Sequence, residues 1–462
     1  MPRNILIPLI VACAMFMENM DSTIIATSLP AIAQGLGEHP LSLNLALTSY
    51  LVGLAMFIPI SGWVADRVGA RTVFMAAMAV FMAGSLLCAL SDALPAFVAA
   101  RFLQGIGGAM MVPVGRLVLL KSVPKSELVV ALNYLTVPAL LGPVIGPALG
   151  GLITQYFSWR WIFLINVPMS LLGMALAWRF IPDYREERVD PLDLRGFALC
   201  GLGLAGVILG LSTLGRHLLP EEGSGALFVS GALLLVGYAW HARRVAHPLI
   251  DMQLLRLPTL RAGVVGGALF RIGAGATPFL LPLMFQLGFG LSPFQSGLLT
   301  CATAIGAMFM KTFTVGILRR FGFRAVMTGN ALLASAGIMV CGLFTETTPH
   351  AVIIAVLLLG GCMRSLQFTC LNAISFADVA KQDLSDATSL TSMAQRLSQS
   401  VGVAVGALSL QLATGLNHRD SVQAGDFGIA FLAVGLLSTL SMLWLLRLPQ
   451  NAGAELSGHG RR

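Results

Sequence analysis

Apolar runs long enough to cross a bilayer recur from one end of this chain to the other, and that recurrence decides its class before any single residue is considered. A helix needs about 20 apolar residues to span roughly 30 Å of hydrocarbon. Fourteen such runs can be placed, at approximately 5–32, 42–64, 72–91, 95–119, 128–154, 161–182, 195–215, 225–243, 262–287, 293–316, 325–345, 350–375, 387–414 and 426–447. Of the 462 residues, 56% are hydrophobic and only 11% charged, and the mean hydropathy is +0.83, far from the composition of soluble domains. The expectation is an all-α polytopic membrane protein.

Basic residues test the count, because short cytoplasmic loops carry an excess of Lys and Arg. With the N-terminus inside, and residues within about three positions of a span's cytoplasmic end counted with that side, 21 of the 29 fall on the cytoplasmic side, three outside (Arg160, Arg216, Arg419) and five within spans (Arg101, Arg271, Lys311, Arg364, Arg396). A miscounted helix would scramble that bias downstream of the error. Both termini are therefore expected in the cytoplasm, and the net charge of +8 reads as topology rather than as a nucleic-acid surface. The first span is too long for a cleavable signal peptide and carries two acids, so it is expected to stay as an anchor. The seven cysteines all lie in spans, with no CxxC pair, and read as small buried hydrophobes. The seven histidines fall in loops, tails or helix ends. No metal site, cofactor or His-based catalytic site is suggested, and GxxxxGK[ST] does not occur, so direct ATP coupling is not expected.

Two patterns occur twice at nearly constant spacing, the mark of an internal duplication. GWVADRVGARTVF after span two returns after span ten as VGILRRFGFRAVM, with Gly69 and Arg71 matching Gly322 and Arg324, 253 residues later. Arg101 and Gln104 of span four return as Arg364 and Gln367 of span twelve, 263 residues later. The offset is eight helices. Spans 1–6 (residues 1–182) and 9–14 (262–447) then form two six-helix bundles, with spans 7 and 8 an inserted pair inside a linker (183–261) and a cytoplasmic tail at 448–462. Charged, Pro-containing connections flank the inserted pair, and neither is long enough for a soluble domain.

Apart from Asp426, the first residue of the last run, only two acids, Glu18 and Asp21, lie inside the apolar runs, both in the first. A carboxylate at that depth costs about 2.5–3.5 kcal/mol even on lenient insertion scales, and marks a functional site by default. At a spacing of three the two share one helix face. Asp21 lies about 11 residues from the outer end of its span and Arg101 about seven from that of its own, a depth difference of about 6 Å that side chains bridge. Burial favours a protonated carboxyl, and a nearby guanidinium favours the anion. If movement of the halves alternately pairs and separates Asp21 and Arg101, the carboxyl takes up a proton in one state and releases it in the other; a permanent structural ion pair is the competing reading. Glu18 reads as an accessory proton or cation site, or as a merely pore-facing acid.

Gly62, Asp66, Arg67, Gly69 and Arg71 form a cytoplasmic loop in which Gly69 permits a tight turn and Asp66 can accept from an Arg or cap the next helix. Such a loop can latch one conformational state. In GPVIGPALGG, Gly142, Gly146 and Gly150 line one helix face and allow close approach of another helix, while Pro143 and Pro147 weaken its backbone ladder. The embedded cations of the second half, Arg271, Arg364 and Arg396, face water, carbonyls or a ligand, and together with Tyr50 and Gln104 are candidate walls of a substrate cavity. Other polar groups in spans, among them Asn133, Asn372 and Gln395, suit helix–helix hydrogen bonding.

These motifs resemble those of the major facilitator superfamily, and within it the fourteen-helix drug:proton antiporters of the EmrB/QacA type. GxxxDRxGxR after the second helix is the superfamily's loop signature. MDSTIIATSLP keeps Asp21, Thr23, Ile24, Leu29 and Pro30 of the subfamily's LDxTIVNxALP. RFLQGIGGA (Arg101, Gln104, Gly105, Gly107) resembles its fourth-helix basic motif, GPVIGPALGG its antiporter motif, and SWRWIFLINVP (Trp159, Arg160, Trp161, Phe163, Asn166, Pro168) a further family element. Ala26, Thr72 and Glu18 depart from the pattern. The resemblance implies the major facilitator fold and a secondary transporter rather than an enzyme. It implies an inner-membrane, monomeric protein driven by the proton gradient without a cofactor, exporting drug-like amphipathic compounds. Its partners are then that substrate, protons and the lipid bilayer. An exporter dedicated to an organic anion, zwitterion or metabolite is the alternative, and a channel or a membrane enzyme is the more distant one.

Overall fold

A computed structural model describes residues 3–38, 43–186, 189–213, 221–416 and 423–458. Among them all regular structure is helical. In chain order the helices are α1 (Arg3–Leu36), α2 (Asn44–Phe57), α3 (Ser61–Val68), α4 (Ala70–Leu90), α5 (Leu94–Ser122), α6 (Leu128–Tyr156), α7 (Trp161–Leu164), α8 (Asn166–Phe180), α9 (Leu194–Thr213) and α10 (Glu221–Ala242). They are followed by α11 (Pro258–Arg261), α12 (Gly267–Leu283), α13 (Pro293–Cys341), α14 (His350–Ile374), α15 (Leu384–Leu416), α16 (Ala424–Thr439), α17 (Ser441–Leu445) and α18 (Ala454–Ser457). Among the described residues, 12 helical stretches are long and apolar enough to cross a membrane. One of them lies within α13, a single 49-residue run interrupted at Gly322, whose φ of 73° and ψ of 166° leave the helical region. That break falls between the two spans expected there.

The chain divides into two compact units. One comprises Met1–Glu127, Ala131–Gln253 and Ala380–Met393; the other comprises Leu128–Val130, Leu254–Val379 and Ala394–Arg462. In the first unit an aromatic knot seals one end of the bundle. Phe97, Trp159 and Phe163 meet edge to face with centroids 5.6–6.3 Å apart, and Ile24, Ile25 and Ile32 of α1 pack into the same cluster. Helices α9 and α10, expected from sequence as an inserted pair, belong to this unit. Helix α9 lies close enough to α2 that a Cβ on Gly201 would stand 2.8 Å from the Met56 carbonyl oxygen, and α10 meets α9 with a Cβ on Gly231 only 2.5 Å from the Val207 nitrogen. The charged connections on either side of the pair are tied together by His241–Asp193 (2.9 Å) and His247–Asp190 (2.8 Å). In the second unit Phe285, Phe427 and Phe431 form a core with Leu280, Ile353 and Val434.

The duplicated loops share their unusual backbone. Gly69 has φ 107° and its counterpart Gly322 has φ 73°, a region open to glycine and strained for other residues. Both glycines sit where one long helix stops and the next begins, so the repeat read from sequence is a repeat of turn geometry.

Two sequence expectations need adjustment. Arg116, counted with the cytoplasmic charge, is buried in α5 at 4% exposure, because its helix runs on to Ser122 and packs on both sides. Asp426 is fully buried as well; it stands in the first turn of α16, where its Oδ2 accepts from the Gln423 N–H at 2.9 Å in a capping box. Capping, rather than depth, accounts for that acid. Arg216 and Arg419, expected outside the membrane, and His39, His217, His418 and His459 lie outside the described residues. Five cysteines are buried and two half-buried, all of them free thiols.

Candidate functional site

The site grows from three glycine contacts that bring helices of the first unit together around the middle of α5. Beside Gly105 the chain of α2 comes within 2.3 Å of where a Cβ would stand, at the Tyr50 carbonyl, and beside Gly84 the backbone of Gln104 comes within 2.7 Å. On the other flank of α1, a Cβ at Gly142 would lie 2.9 Å from the Met20 nitrogen. Any side chain at these positions would hold the helices apart. Close approach instead delivers short polar side chains from α1, α4, α5 and α8 to one point.

At that point is Asp21, 1% exposed. Its Oδ2 accepts from Arg101 Nη1 at 2.7 Å, and its Oδ1 accepts from Gln104 Nε2 at 2.8 Å and from Asn166 Nδ2 at 3.0 Å. Arg101 Nη1 also donates to Gln104 Oε1. Ser85 Oγ accepts from both amides, Gln104 at 2.8 Å and Asn166 at 3.1 Å. The guanidinium lies over the Tyr50 ring, 4.5 Å from its centroid, with Phe163 at 6.0 Å. A buried ion pair is stable only when its remaining lone pairs and protons find partners. Here three donors converge on the carboxylate, and aromatic faces add to the stabilisation of the cation.

Sequence reasoning named Asp21 and Arg101 as a pair, and they are one. Tyr50 and Gln104, expected as cavity walls, stand inside this cluster. Glu18 lies one turn from Asp21 on α1 and is itself 2% exposed; the bonds to Asp21 come from the other helices. Ser85 was missed, and Asn166 was named only as part of a family motif, not as a partner of Asp21. A polar residue within the apolar run IFLINVP was a visible signal for Asn166, whereas a lone serine in α4 gave none.

The loop between α3 and α4 is built differently from expectation. Asp66 does not cap α4. Its carboxylate takes Ser385 Oγ and Lys121 Nζ (3.4 Å), and Lys121 also pairs with Glu186 at 2.8 Å. The cap comes from Asp183, whose Oδ1 accepts the Arg71 N–H at 3.1 Å and whose Oδ2 accepts Thr72 Oγ1 at 3.3 Å and stands 3.9 Å from the Arg71 guanidinium. Asp66 sits in the last turn of α3, facing the end of α5, while the free N–H groups of α4 face the 181–186 segment. The Gly62 N–H donates to Ser389 Oγ at 3.1 Å, and a Cβ there would stand 2.8 Å from the Ser385 carbonyl. Arg67 is exposed and lies over Trp63 at 6.0 Å.

In α6, Gly146 faces α1, where a Cβ would meet Thr23 Oγ1 at 2.3 Å, and Gly150 is buried. Pro143 and Pro147 lie in the same helix, their side chains outside the described residues. Contact is reinforced by Asn19 Nδ2 donating to the Ala139 carbonyl at 3.3 Å and by the Ser28 and Thr154 hydroxyls at 2.7 Å.

The second unit holds the other cations. Arg271 is fully buried, with Nη1 donating to the Gly263 carbonyl and Nη2 to Asn372 Oδ1, both at 3.1 Å. Lys311 donates to Thr369 Oγ1. Arg364 and Arg396 are half-buried. Gln367, the counterpart of Gln104, accepts from Asn330 at 2.9 Å instead of serving a carboxylate. Among the described residues no cluster of three His, Cys, Asp or Glu side chains is placed to hold a metal.

Comparison with known proteins fixes the family. The profile of the Major Facilitator Superfamily matches residues 11–402 and 263–461. The chain belongs to the Major Facilitator Superfamily. It is 38% identical over 456 residues to the "Putative multidrug resistance protein MdtD" of Cronobacter sakazakii, covering 98% of this chain and 96% of that one. It is 39% identical over 445 residues to the protein of the same name from Escherichia coli O17:K52:H18, covering 95% and 92%. In fold it is similar to the human organic anion transporter MFSD10, at a TM-score of 0.68 and 17% identity over 96% of this chain and 100% of that one. It is equally similar to the proton:xylose symporter XylE, at a TM-score of 0.69 and 14% identity over 97% of each. As a major facilitator the chain is a secondary transporter of small organic solutes and not an enzyme, and its helices form a multi-pass membrane protein.

Proposed function

We propose that this transporter is a proton-coupled antiporter that exports amphipathic, drug-like organic compounds across the inner membrane, with Asp21 as the proton carrier. The observation that carries the reading is the closed set of donors around that one carboxylate, 1% exposed and joined to Arg101 at 2.7 Å. As an anion Asp21 holds four helices together through its partners. Once protonated it loses the charge that anchors Arg101, and the same helices are free to repack; a two-state element biased by protonation is what alternating access needs. The loop at Asp66, gripped by Lys121 and Ser385, supplies a contact that is made in one state and released in the other. The α6 glycine face, lying on α1 beside Asp21, keeps the helix that bears the carboxylate tightly sealed. Fourteen spans follow if α13 is two spans divided at Gly322 and the 29-residue α6 is one more than the 12 identified by length and hydropathy. Two six-helix bundles with an inserted pair, cytoplasmic termini and a monomeric state complete the proposal, whose resemblance to MdtD supports the drug-like substrate.

Reconstitution into proteoliposomes tests the coupling. An imposed pH gradient should drive accumulation of an amphipathic dye, and addition of that dye should in turn collapse the gradient. Dye movement with no proton movement would overturn the antiport reading.

A second reading, an exporter of organic anions, has one observation in its favour. Arg364 is half-buried in the middle of α14 and makes no hydrogen bond or ion pair among the described residues. A guanidinium in that condition suits a carboxylate or sulfonate ligand. Exchanging it in Arg364→Gln should weaken transport of small carboxylates about tenfold, the worth of one charge-assisted bond, while leaving cationic dyes unaffected. Equal loss for both substrate classes would remove the second reading.

A further inference from the structure

Beside Asp21 lies a buried acceptor without a use, and Arg101 Nε is a buried donor likewise without a hydrogen-bond partner. Asn166 is fully buried; its Nδ2 donates to Asp21 Oδ1 and to Ser85 Oγ, but its Oδ1 is a buried acceptor with no hydrogen-bond partner. A buried polar atom left unpaired in a native structure costs free energy and calls for a reason. The oxygens of Gln104, Ser85 and Asp21 are all engaged. Gln104 Oε1 accepts from Arg101, Ser85 Oγ accepts from two amides, and the Asp21 oxygens accept from three side chains.

This arrangement suits an ionised carboxylate, which can only accept. A protonated Asp21 has different needs. Its new O–H requires an acceptor, and the donor now facing Oδ1 from Asn166 becomes the wrong group. Rotating the Asn166 amide by half a turn exchanges Nδ2 for Oδ1. The carboxylic O–H then donates to Asn166 Oδ1 across the 3.0 Å contact, and the Ser85 hydroxyl hydrogen can donate to the same oxygen across the 3.1 Å contact. One amide atom is left unpaired before the rotation and one after it, so the exchange adds no orphan group.

Resting on the reading of Asp21 as the proton carrier, we infer that Asn166 is a positioning residue whose amide reverses with the protonation of Asp21, donating to the anion and accepting from the acid. Asn166 begins α8 directly after the turn at Ile165. Reversal therefore alters the bond between α8 and α1 at the moment the proton arrives. Proton uptake is thus reported to α8 and α4 as well as to Arg101.

Infrared difference spectroscopy between high and low pH, on the full chain in proteoliposomes, tests this. A carboxylic C=O band should appear on acidification and vanish in Asp21→Asn. With side-chain-labelled asparagine, an amide signal of the label should accompany that band and be lost in Asn166→Leu, which can neither donate nor accept. In Asn166→Leu the carboxylic band should persist at a higher frequency, and gradient-driven transport should fall about tenfold. Absence of any carboxylic band dependent on Asp21 would refute the proton-carrier reading itself. A band that depends on Asp21, with no asparagine signal and no frequency change in Asn166→Leu, would refute the role of Asn166 and leave Asp21 as carrier.

Discussion

Asn in place of Asp21 is expected to abolish accumulation driven by a pH gradient while leaving gradient-independent exchange of substrate in place. Asparagine has nearly the shape of aspartate and keeps an oxygen to accept from Arg101, so the helices around it remain assembled. It cannot take up or release a proton. A transporter with a neutral group there behaves as though permanently protonated at this position, so the gradient has nothing to act on. Some stability is lost, because Arg101 then lacks its counter-charge; the loss of one charge-assisted bond is worth about 1.5–3 kcal/mol. Transport should therefore be normalised to folded protein, measured by size-exclusion recovery. Accumulation under a gradient at wild-type rates in Asp21→Asn would end the proposal that this residue carries the proton.

Arg101→Met should produce the largest fall in stability of any single change in the cluster. The substitution leaves a carboxylate among apolar helices with amide donors but no cation, and removing one member of a buried pair costs about 3–5 kcal/mol. Methionine fills the space over Tyr50, so the loss reports charge rather than volume. The double variant Asp21→Asn with Arg101→Met removes both charges and should be more stable than Arg101→Met alone. Residues in direct contact commonly show interaction energies of about 0.5–3 kcal/mol, and this pair belongs at the upper end. Thermal unfolding in detergent, followed by intrinsic fluorescence, measures the cycle. Additive effects of the two substitutions would mean that the ion pair contributes nothing to the fold.

The legible parts of this protein were those written in long-range composition and in rare residues. Helical class followed from apolar length, and the repeat from Gly69 and Gly322, whose shared backbone geometry lies outside the common range for other residues. Asp21 and Arg101 were legible because charge in an apolar run is conspicuous. Ser85 was not, since a serine in a membrane helix ordinarily bonds its own backbone and announces no partner. The cap on α4, for which Asp66 was one of two offered roles, was not legible for a different reason. Asp66 is close to that helix in sequence, and Asp183 is 112 positions from the N–H group it binds; local spacing favours the wrong aspartate whenever a distant segment folds back onto a turn.

That folded-back segment carries a consequence for anyone who would trim or recombine this chain. Asp183, Tyr184 and Glu186 follow the sixth long apolar run directly, yet they serve the turn between α3 and α4, through Arg71, the Ala70 N–H and Lys121. Splicing out α9 and α10 at the start of the charged connection would discard the groups that secure the turn along with them. A chimaera that exchanges the middle of the chain keeps that turn intact only if its junction falls after Glu186.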